Sequence, residues 1–483
     1  MIENEYNYKY VKINDDYSSE VINNKISIRT EVKKEKIGVM LVGIGGNNGS
    51  TFAASILARQ KNIEWENKNG KHKVDFLGSI YEYGSINIGY KDNKPYSKLI
   101  KNLINIHSPN DIVFHGWDIC DEDLYTACKK NKVLDIDLLN KIQDDLKNIK
   151  PMKSICYDGF IATNQKERCN NLKNFKKNKW ADLLLIKSDI ETFKLENSLD
   201  KIVVVWTAST ERFHRGNWKT SDELLSSLKE SDEEVSPSLI FAYASILTDS
   251  IFLNGSPQNT ICPAILDLAN KRKCFVGGED FKTGQTKLKS VLVDFLASSG
   301  IKPLSIVSYN HLGNNDGKNL NEQPQFESKE MTKKNVIDDI VEENSELFNN
   351  KKPDHCVIIK YVPAVGDSKR AMDEYYSELC MDGRSTIAIH NTCEDTLLAV
   401  PLILDIILFS EYFSRIKFKL EDNTITTFTS NLSLLSLFFK APVDDGYPVI
   451  NAFFKQRYAL DNFIKASLGI PINDFLNLHN RIL

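Results

Sequence analysis

Short runs that are apolar throughout alternate along this chain with longer stretches whose apolar residues recur every three or four positions. Ile37-Gly-Val-Met-Leu-Val42 is a continuous apolar run of the kind that forms a strand buried on both faces. A Gly-rich turn follows it, and then a helical pattern from about Ser50 to Gln60. Further strands are expected at Val74–Ser79, Asp111–Trp117 and the very apolar Lys201–Trp206, with polar Asn62–Lys73 as an inserted surface loop. A long helix is expected over Pro237–Phe252, and shorter ones near Ala264–Lys271 and Gln285–Ser299. Ile306–Tyr309, Cys356–Tyr361 and Thr386–His390 read as strands, and Asp395–Phe413 as the last long helix. Strands alternating with helices predict an α/β protein with a largely parallel sheet. No internal repeat is visible.

Bulk properties narrow the function classes. At 483 residues the chain is long enough for two or three domains. Its net charge of −4 argues against a general nucleic-acid binder, which needs a basic surface to displace counterions. Residues 1–35 are polar, rich in Asn, Tyr and Lys, and lack the apolar core of a secretory signal. Leu397–Phe409 contains Asp405 and is too short to span a bilayer, so it reads as a core helix, and no membrane partner is expected. The nine cysteines form no C-x-x-C pair, and the eight histidines form no H-E-x-x-H. Neither a disulfide framework nor a metal site is expected, and reduced thiols in the cytoplasm fit best. Lys166–Lys179 and Lys219–Glu234 are charge-dense and read as solvated surface.

The strongest local motif is Gly43-Ile-Gly-Gly-Asn-Asn-Gly-Ser-Thr51, set between a predicted strand and a predicted helix. That is where a dinucleotide fold places its pyrophosphate, against free amides at the helix start. Gly43 and Gly45 fit G-x-G, but the third position is Asn48, with Gly49 one residue later. The same glycines would also suit a tight turn that binds nothing. An acid for the ribose hydroxyls is expected at a strand end; Glu82 and, better placed, Asp118 are the candidates. Asp118 would serve equally as a helix N-cap.

A second group of polar motifs lies between Gly255 and Asp395. Thr283-Gly-Gln-Thr286 opens a predicted helix, where small polar residues and free amides suit a phosphate as well as they suit simple capping. Asn310, Asn314, Asn315 and Asp316 form a Gly-punctuated loop after an apolar strand, the position that lines a ligand crevice in an open α/β sheet. Lys329 and Lys333 fall on one face if their segment is helical, and Lys369 follows in another polar loop.

With these blocks in hand, the chain resembles the myo-inositol-1-phosphate synthases from about Lys36 to beyond Pro471. Trp206-Thr-Ala-Ser-Thr-Glu-Arg212, Ser308-Tyr-Asn-His-Leu-Gly-Asn-Asn-Asp-Gly317, His390-Asn-Thr-Cys-Glu-Asp395 and Pro448-Val-Ile-Asn-Ala-Phe-Phe-Lys-Gln-Arg457 also carry the likeness. The resemblance implies an NAD-binding Rossmann-type domain with an inserted α+β domain for catalysis and tetramerisation. The implied segments are a polar 1–35, 36–286 for the first part of the NAD domain, 287–401 for the insertion, and 402–483 returning to the NAD domain. It implies conversion of D-glucose 6-phosphate to 1D-myo-inositol 3-phosphate (1L-myo-inositol 1-phosphate), as the first step of inositol synthesis. The steps would be oxidation at C5, enolisation, C1–C6 ring closure and re-reduction.

The NAD contacts implied are Gly43, Gly45, Gly46, Asn47, Asn48, Asp118, Gln165, Arg168, Thr207, Ala208, Ser209 and Thr210. Gly255, Ser256, Asn314, Asn315, Gly366, Asp367, Asp395 and Thr396 complete them. Thr283, Gly284, Gln285, Thr286 and Lys333 would receive the sugar phosphate. Lys329, Lys369, Lys455, Asp280 and Asp316 would surround the reacting carbons, with Lys329 assigned proton transfer at the C5 oxygen. A homotetramer and an ammonium or other cation activator are further implications. Six positions depart from the family pattern: Ile44 stands where tryptophan is usual, Ser209 where asparagine is, Thr283 where serine is, and Tyr81-Glu-Tyr83 where Thr-Gln-Ala is. A simple dehydrogenase that releases its oxidised product, and an inactive NAD-binding scaffold, are the rival readings.

Overall fold

The computed structural model describes residues 1–92, 94–173 and 178–472. Residues 174–177 of the basic segment expected to be solvated, and the chain from 473 onward, lie outside the described residues. The centre is a six-stranded parallel sheet in the order Val276–Gly277, Ile251–Asn254, Lys201–Trp206, Ile37–Val42, Val113–Asp118, Met152–Lys153. Alternate side chains of its strands enter opposite cores. Val39, Leu41, Val203 and Val205 pack into one, and Met40, Val42, Ile202 and Val204 into the other. Helices cover both faces, so Ile37–Val42 and the run from Ile202 to Trp206 are apolar throughout, as the sequence pattern requires.

A second sheet of four strands is mixed, in the order Asp354–Tyr361, Lys302–Leu312, Ser368–Glu378, Arg384–Glu394. Helices Gly284–Ser298 and Gln323–Lys334 pack beside it. The polar N-terminal segment is not a loose tail: Ile2–Ile13 and Ser19–Thr30 pair antiparallel, and Ile416–Lys419 joins them. Its alternating half-buried pattern is what lets so polar a sequence form strands.

Three sequence expectations are corrected. Val74–Ser79 is not a strand; Phe76 (φ 48°) and Gly78 (φ 102°) turn the chain, and Ser79 caps the short helix Ile80–Tyr83. The cause is Asp405, whose buried carboxylate accepts from the Ser79 hydroxyl at 2.5 Å and from the Ile80 and Tyr81 amides at 2.6 and 3.1 Å. Burial pushes the Asp405 carboxyl up to about 7 despite these donors. The helix expected over Pro237–Phe252 stops at Leu247; Asp249 turns left-handed (φ 54°), and Ile251–Asn254 becomes a sheet strand. A continuous apolar run does not distinguish a buried helix from a buried strand. Asn62–Lys73 forms a small hairpin, Glu64–Asn67 with Gly70–Lys73. Helix Asp395–Ser414 is long and apolar enough to cross a membrane, yet its sides are packed against the parallel sheet and the C-terminal helix Phe453–Ser467, and it is almost wholly buried.

Gly116 shows how tightly the sheet is drawn in beside the site. A Cβ there would lie 2.1 Å from the Leu41 carbonyl oxygen, so no side chain fits without parting the two strands. Gly116→Ala should therefore destabilise the protein by about 3 kcal/mol. A clear drop in melting temperature is the expected result, and an unchanged melt contradicts this account of the strand packing.

Candidate active site

The parallel strands end at a cavity of about 590 Å³. The first turn is built by glycines. Gly43 has φ 85°, and it and Ile44 donate their amides to the Trp117 carbonyl at 2.7 and 3.1 Å. Gly46 precedes helix Asn47–Gln60, and no side chain caps that helix start, so its first amides are left for a ligand. The irregular glycine spacing has a geometric explanation. A Cβ on Gly49 would sit 2.5 Å from the Gly43 carbonyl oxygen, so Gly49 permits the close helix–turn approach expected of the third glycine. Asp118, at the end of its strand, accepts from the Gly45 amide at 2.9 Å and the Cys120 amide at 3.0 Å. Its burial raises its pKa. Glu82, the alternative acid, is instead paired with Lys101 at 2.8 Å and does not line the cavity.

Polar loops from both sheets close the walls. Thr207, Ala208, Ser209, Thr210, Gly255 and Ser256 follow two parallel strands and line the cavity. Asn314, Asn315, Asp316, Gly366, Asp367 and Lys369 come from the mixed sheet, and Gln165 and Arg168 from a 3-10 turn. Asp367 ties these parts together. One oxygen accepts from Asn47 (3.3 Å), Asn314 (3.1 Å) and the Thr396 hydroxyl (2.7 Å), and the other from the Thr396 amide (3.0 Å). Asn315 also reaches Ser209 Oγ, at 3.4 Å, and Thr210 Oγ1 reaches Asp316 at 3.5 Å.

Charge is concentrated at one end. Asp280 (φ 64°), 1% exposed, accepts from Lys329 Nζ at 2.9 Å and Lys440 Nζ at 3.1 Å on one oxygen, and from Thr332 Oγ1 at 2.9 Å on the other. Lys369 Nζ lies 3.2 Å from Asp395 Oδ1. Burial opposes the Asp280 charge, but Lys329 and Lys440 outweigh it and hold the carboxyl down at about 2. Burial likewise opposes the charge on Lys329, yet Asp280, Asp316 and Asp395 hold its pKa above the usual lysine range. In Lys440 burial wins, aided by the neighbouring Lys329 and Lys369, and its pKa falls to about 7.

Of the residues expected to take a phosphate, Thr283 lines the cavity, and Gly284, Gln285, Thr286 and Lys333 sit behind it. Thr283 makes no side-chain cap, so the Gly284 and Gln285 amides remain free, while the Thr286 amide donates to the Thr283 carbonyl at 3.1 Å. Lys333 donates to two neutral amide oxygens, of Asn310 at 3.1 Å and Gln285 at 3.3 Å. Gln285 is held in turn by Asp373 at 2.8 Å. Burial, and then the repulsion of Lys369, Lys440, Lys289 and Lys329, drives the Lys333 pKa well below normal. An anion placed there would relieve that repulsion.

One expected residue is displaced. Lys455 sits on helix Phe453–Ser467, exposed and ion-paired with Glu343, and it does not line this cavity. The third ammonium at the site is Lys440, which sequence reasoning missed. Its signal is slight: a lysine directly after the apolar run Leu432–Phe439. What brings it in is a backbone pairing across the fold, with Lys440 N donating to Asp280 O at 2.7 Å and Ala441 N to Glu279 O at 3.0 Å.

A glycine turn at the C-terminal ends of parallel strands, joined to a buried lysine–carboxylate cluster, defines an α/β enzyme of the dinucleotide-binding class. A family model described as NAD-binding, myo-inositol-1-phosphate synthase, matches residues 37–465, and the chain belongs to that family. It is 46% identical to the inositol-3-phosphate synthase of Dictyostelium discoideum, over 99% of this chain and 95% of that one. It is also 46% identical to the enzyme of that name from Saccharomyces cerevisiae, over 93% and 89% of the two chains. The crystal structure of inositol-3-phosphate synthase from Caenorhabditis elegans superposes with a TM-score of 0.96 at 44% identity, covering 100% of this chain and 96% of that one.

The unequal charging of the cluster is directly measurable. In competitive acylation across pH, Lys440 should reach half its maximal reactivity near pH 7, well below the surface lysines. Asp280→Asn should move the Lys440 midpoint lower still, because the carboxylate is what raises it. A Lys440 midpoint shared with the surface lysines contradicts the described environment.

Proposed function

We propose that this chain is an inositol-3-phosphate synthase acting on D-glucose 6-phosphate to give 1D-myo-inositol 3-phosphate. The observation that carries the reading is the meeting of Lys329, Lys369 and Lys440 with Asp280 and Asp395 in the cavity that also holds the glycine turn. The glycine cradle fits NAD: the free amides that open helix Asn47–Gln60 would hold its pyrophosphate, and Asp118 its ribose. When bound, NAD supplies the hydride acceptor and donor for the C5 carbon.

The residues of the chain then handle protons and negative charge. Lys440, with a pKa of about 7, exchanges a proton with the C5 oxygen at neutral pH. This shifts the proton-transfer role expected of Lys329 toward its neighbour. Lys329, kept charged by Asp280, and Lys369, beside Asp395, stabilise the oxygens of the enolate and of the C1 aldehyde. Preorganised cations of this kind contribute several kcal/mol to a transition state that builds negative oxygen. Thr283, the amides that follow it and Lys333 take the substrate phosphate, which is itself suitably placed in the reaction to accept the C6 proton. Deprotonation at C6 needs the C5 ketone, and ring closure needs C1 within reach of C6. Both call for one cavity that excludes water until the hydride is returned.

Further parts of the proposal concern context. Segment 287–401 serves as the inserted catalytic and oligomerisation unit, and the partly exposed strand Arg384–Glu394 supports assembly there, as a homotetramer. Nine unpaired cysteines favour the cytoplasm. An ammonium or other cation activator belongs to the same reading.

Incubation with glucose 6-phosphate and catalytic NAD⁺ should yield inositol phosphate with no net NADH. Lys329→Ala should lower kcat about a thousandfold, the loss typical of removing one oxyanion-stabilising group. Gly45→Ala, whose Cβ would sit 3.1 Å from Asp118 Oδ2, should weaken NAD binding about tenfold while the fold survives. Stoichiometric NADH release would favour a simple dehydrogenase and overturn the proposal.

A further inference from the structure

Two thiols outside this chemistry meet at the cavity wall. The Sγ atoms of Cys156 and Cys169 are 3.6 Å apart, and both residues are part-exposed. Cys156 lines the cavity. Cys169 ends the 3-10 turn Thr163–Arg168, which carries Gln165 and Arg168 to the same wall. The two stretches of chain are already tied together. Ser154 N donates to Asn171 O, and Lys173 N to Ser154 O, both at 2.9 Å. The thiols are therefore held in range by two backbone hydrogen bonds between Ser154, just before Cys156, and the stretch just after Cys169.

We propose that Cys156 and Cys169 are a peroxide-sensitive pair that closes to a disulfide and thereby weakens dinucleotide binding. The second half rests on the reading that NAD fills this cavity; the first half does not. The electrostatics favour one sulfur as the nucleophile. The contact with Cys156 lowers the Cys169 pKa, burial works against it, and the Arg168 guanidinium assists. The same contact, together with burial, raises Cys156. The thiolate is the reactive form, so Cys169 leads.

The chemistry balances with hydrogen peroxide as oxidant. The Cys169 thiolate attacks one peroxide oxygen, the O–O bond breaks, and a sulfenic acid forms as hydroxide leaves and takes up a proton to become water. The Cys156 sulfur then attacks the sulfenic sulfur. The S–S bond forms, the S–O bond breaks, and the Cys156 proton departs with the hydroxyl as a second water. Two thiols and one peroxide give one disulfide and two waters.

Closure must draw the sulfurs from 3.6 Å to about 2.05 Å. That displacement falls on Cys156 in the cavity wall and on the residue directly after Arg168, so the Arg168 guanidinium and the Gln165 amide are re-aimed. A bound dinucleotide covers Cys156 and slows the reaction, while the closed disulfide costs the dinucleotide its fit.

The test is a peroxide titration of the full chain with and without NAD, read by non-reducing peptide mass spectrometry and by calorimetric NAD binding. The protein should lose two of its nine thiols and yield a Cys156–Cys169 bridged peptide lighter by two hydrogens. NAD should bind about tenfold more weakly afterwards, dithiothreitol should restore it, and saturating NAD should slow bridging severalfold. Cys169→Ser and, independently, Cys156→Ala should keep their NAD affinity through the same treatment. Pairing of Cys169 with Cys120 instead, or a sulfinic acid with no bridge, overturns the pair. A bridge that leaves NAD affinity unchanged overturns the coupling. Reduced protein that binds no NAD would sink the cofactor reading, and the bridged peptide would still decide the thiol pair on its own.

Discussion

Everything at the charged end of the cavity depends on one buried carboxylate holding two ammonium groups. Asp280 is almost wholly buried, and its oxygens accept from Lys329, Lys440 and Thr332. Desolvating three charges together is expensive, and a fold tolerates it only where attraction and hydrogen bonds repay the cost. The carboxylate divides its two partners unequally. Lys329 is kept charged, and Lys440 sits near its midpoint at neutral pH. A charge stabiliser beside a proton exchanger is what a sequence of oxidation, enolisation and reduction needs at one carbonyl oxygen.

The architecture serves that cluster. The parallel sheet brings the glycine turn, Asp118 and the Thr207–Thr210 loop to one edge, and the mixed sheet brings Asn314, Asp367 and Lys369 to face them. Asp367 fastens the two halves, because its donors come from the first helix, the Asn314 loop and the start of helix Asp395–Ser414. The uncapped amides that open helix Asn47–Gln60, and those of Gly284 and Gln285 after Thr283, then leave two helix starts suited to anions at one cavity. That arrangement suits a dinucleotide and a sugar phosphate together.

Much of this was legible in the residues. Ile37–Val42 followed by glycines announced the nucleotide turn, because burial on both faces and a tight phosphate approach each leave a local mark. Elements broke down where a distant partner decides. Val74–Ser79 has strand composition, but Asp405, far along the chain, captures the Ser79 hydroxyl and the Ile80 and Tyr81 amides that follow. Pro237–Phe252 is apolar on every side, so only the turn at Asp249 reveals where helix gives way to strand. The lysines divide the same way. Lys329, Lys333 and Lys369 lie in motif loops, whereas Lys440 reaches Asp280 through a backbone pairing between segments 160 residues apart. Lys455 lies in a more conspicuous motif yet points to Glu343 on the outside.

Whether Asp280 and Lys440 act as one unit is decided by a double-mutant cycle on kcat/KM. Asp280→Asn, Lys440→Met and the double variant would be compared with the parent under identical conditions. Strong non-additivity is the expected result, with Lys440→Met costing far less once Asp280 is already gone. If the two losses simply multiply, the carboxylate and the ammonium work independently, and the account is wrong.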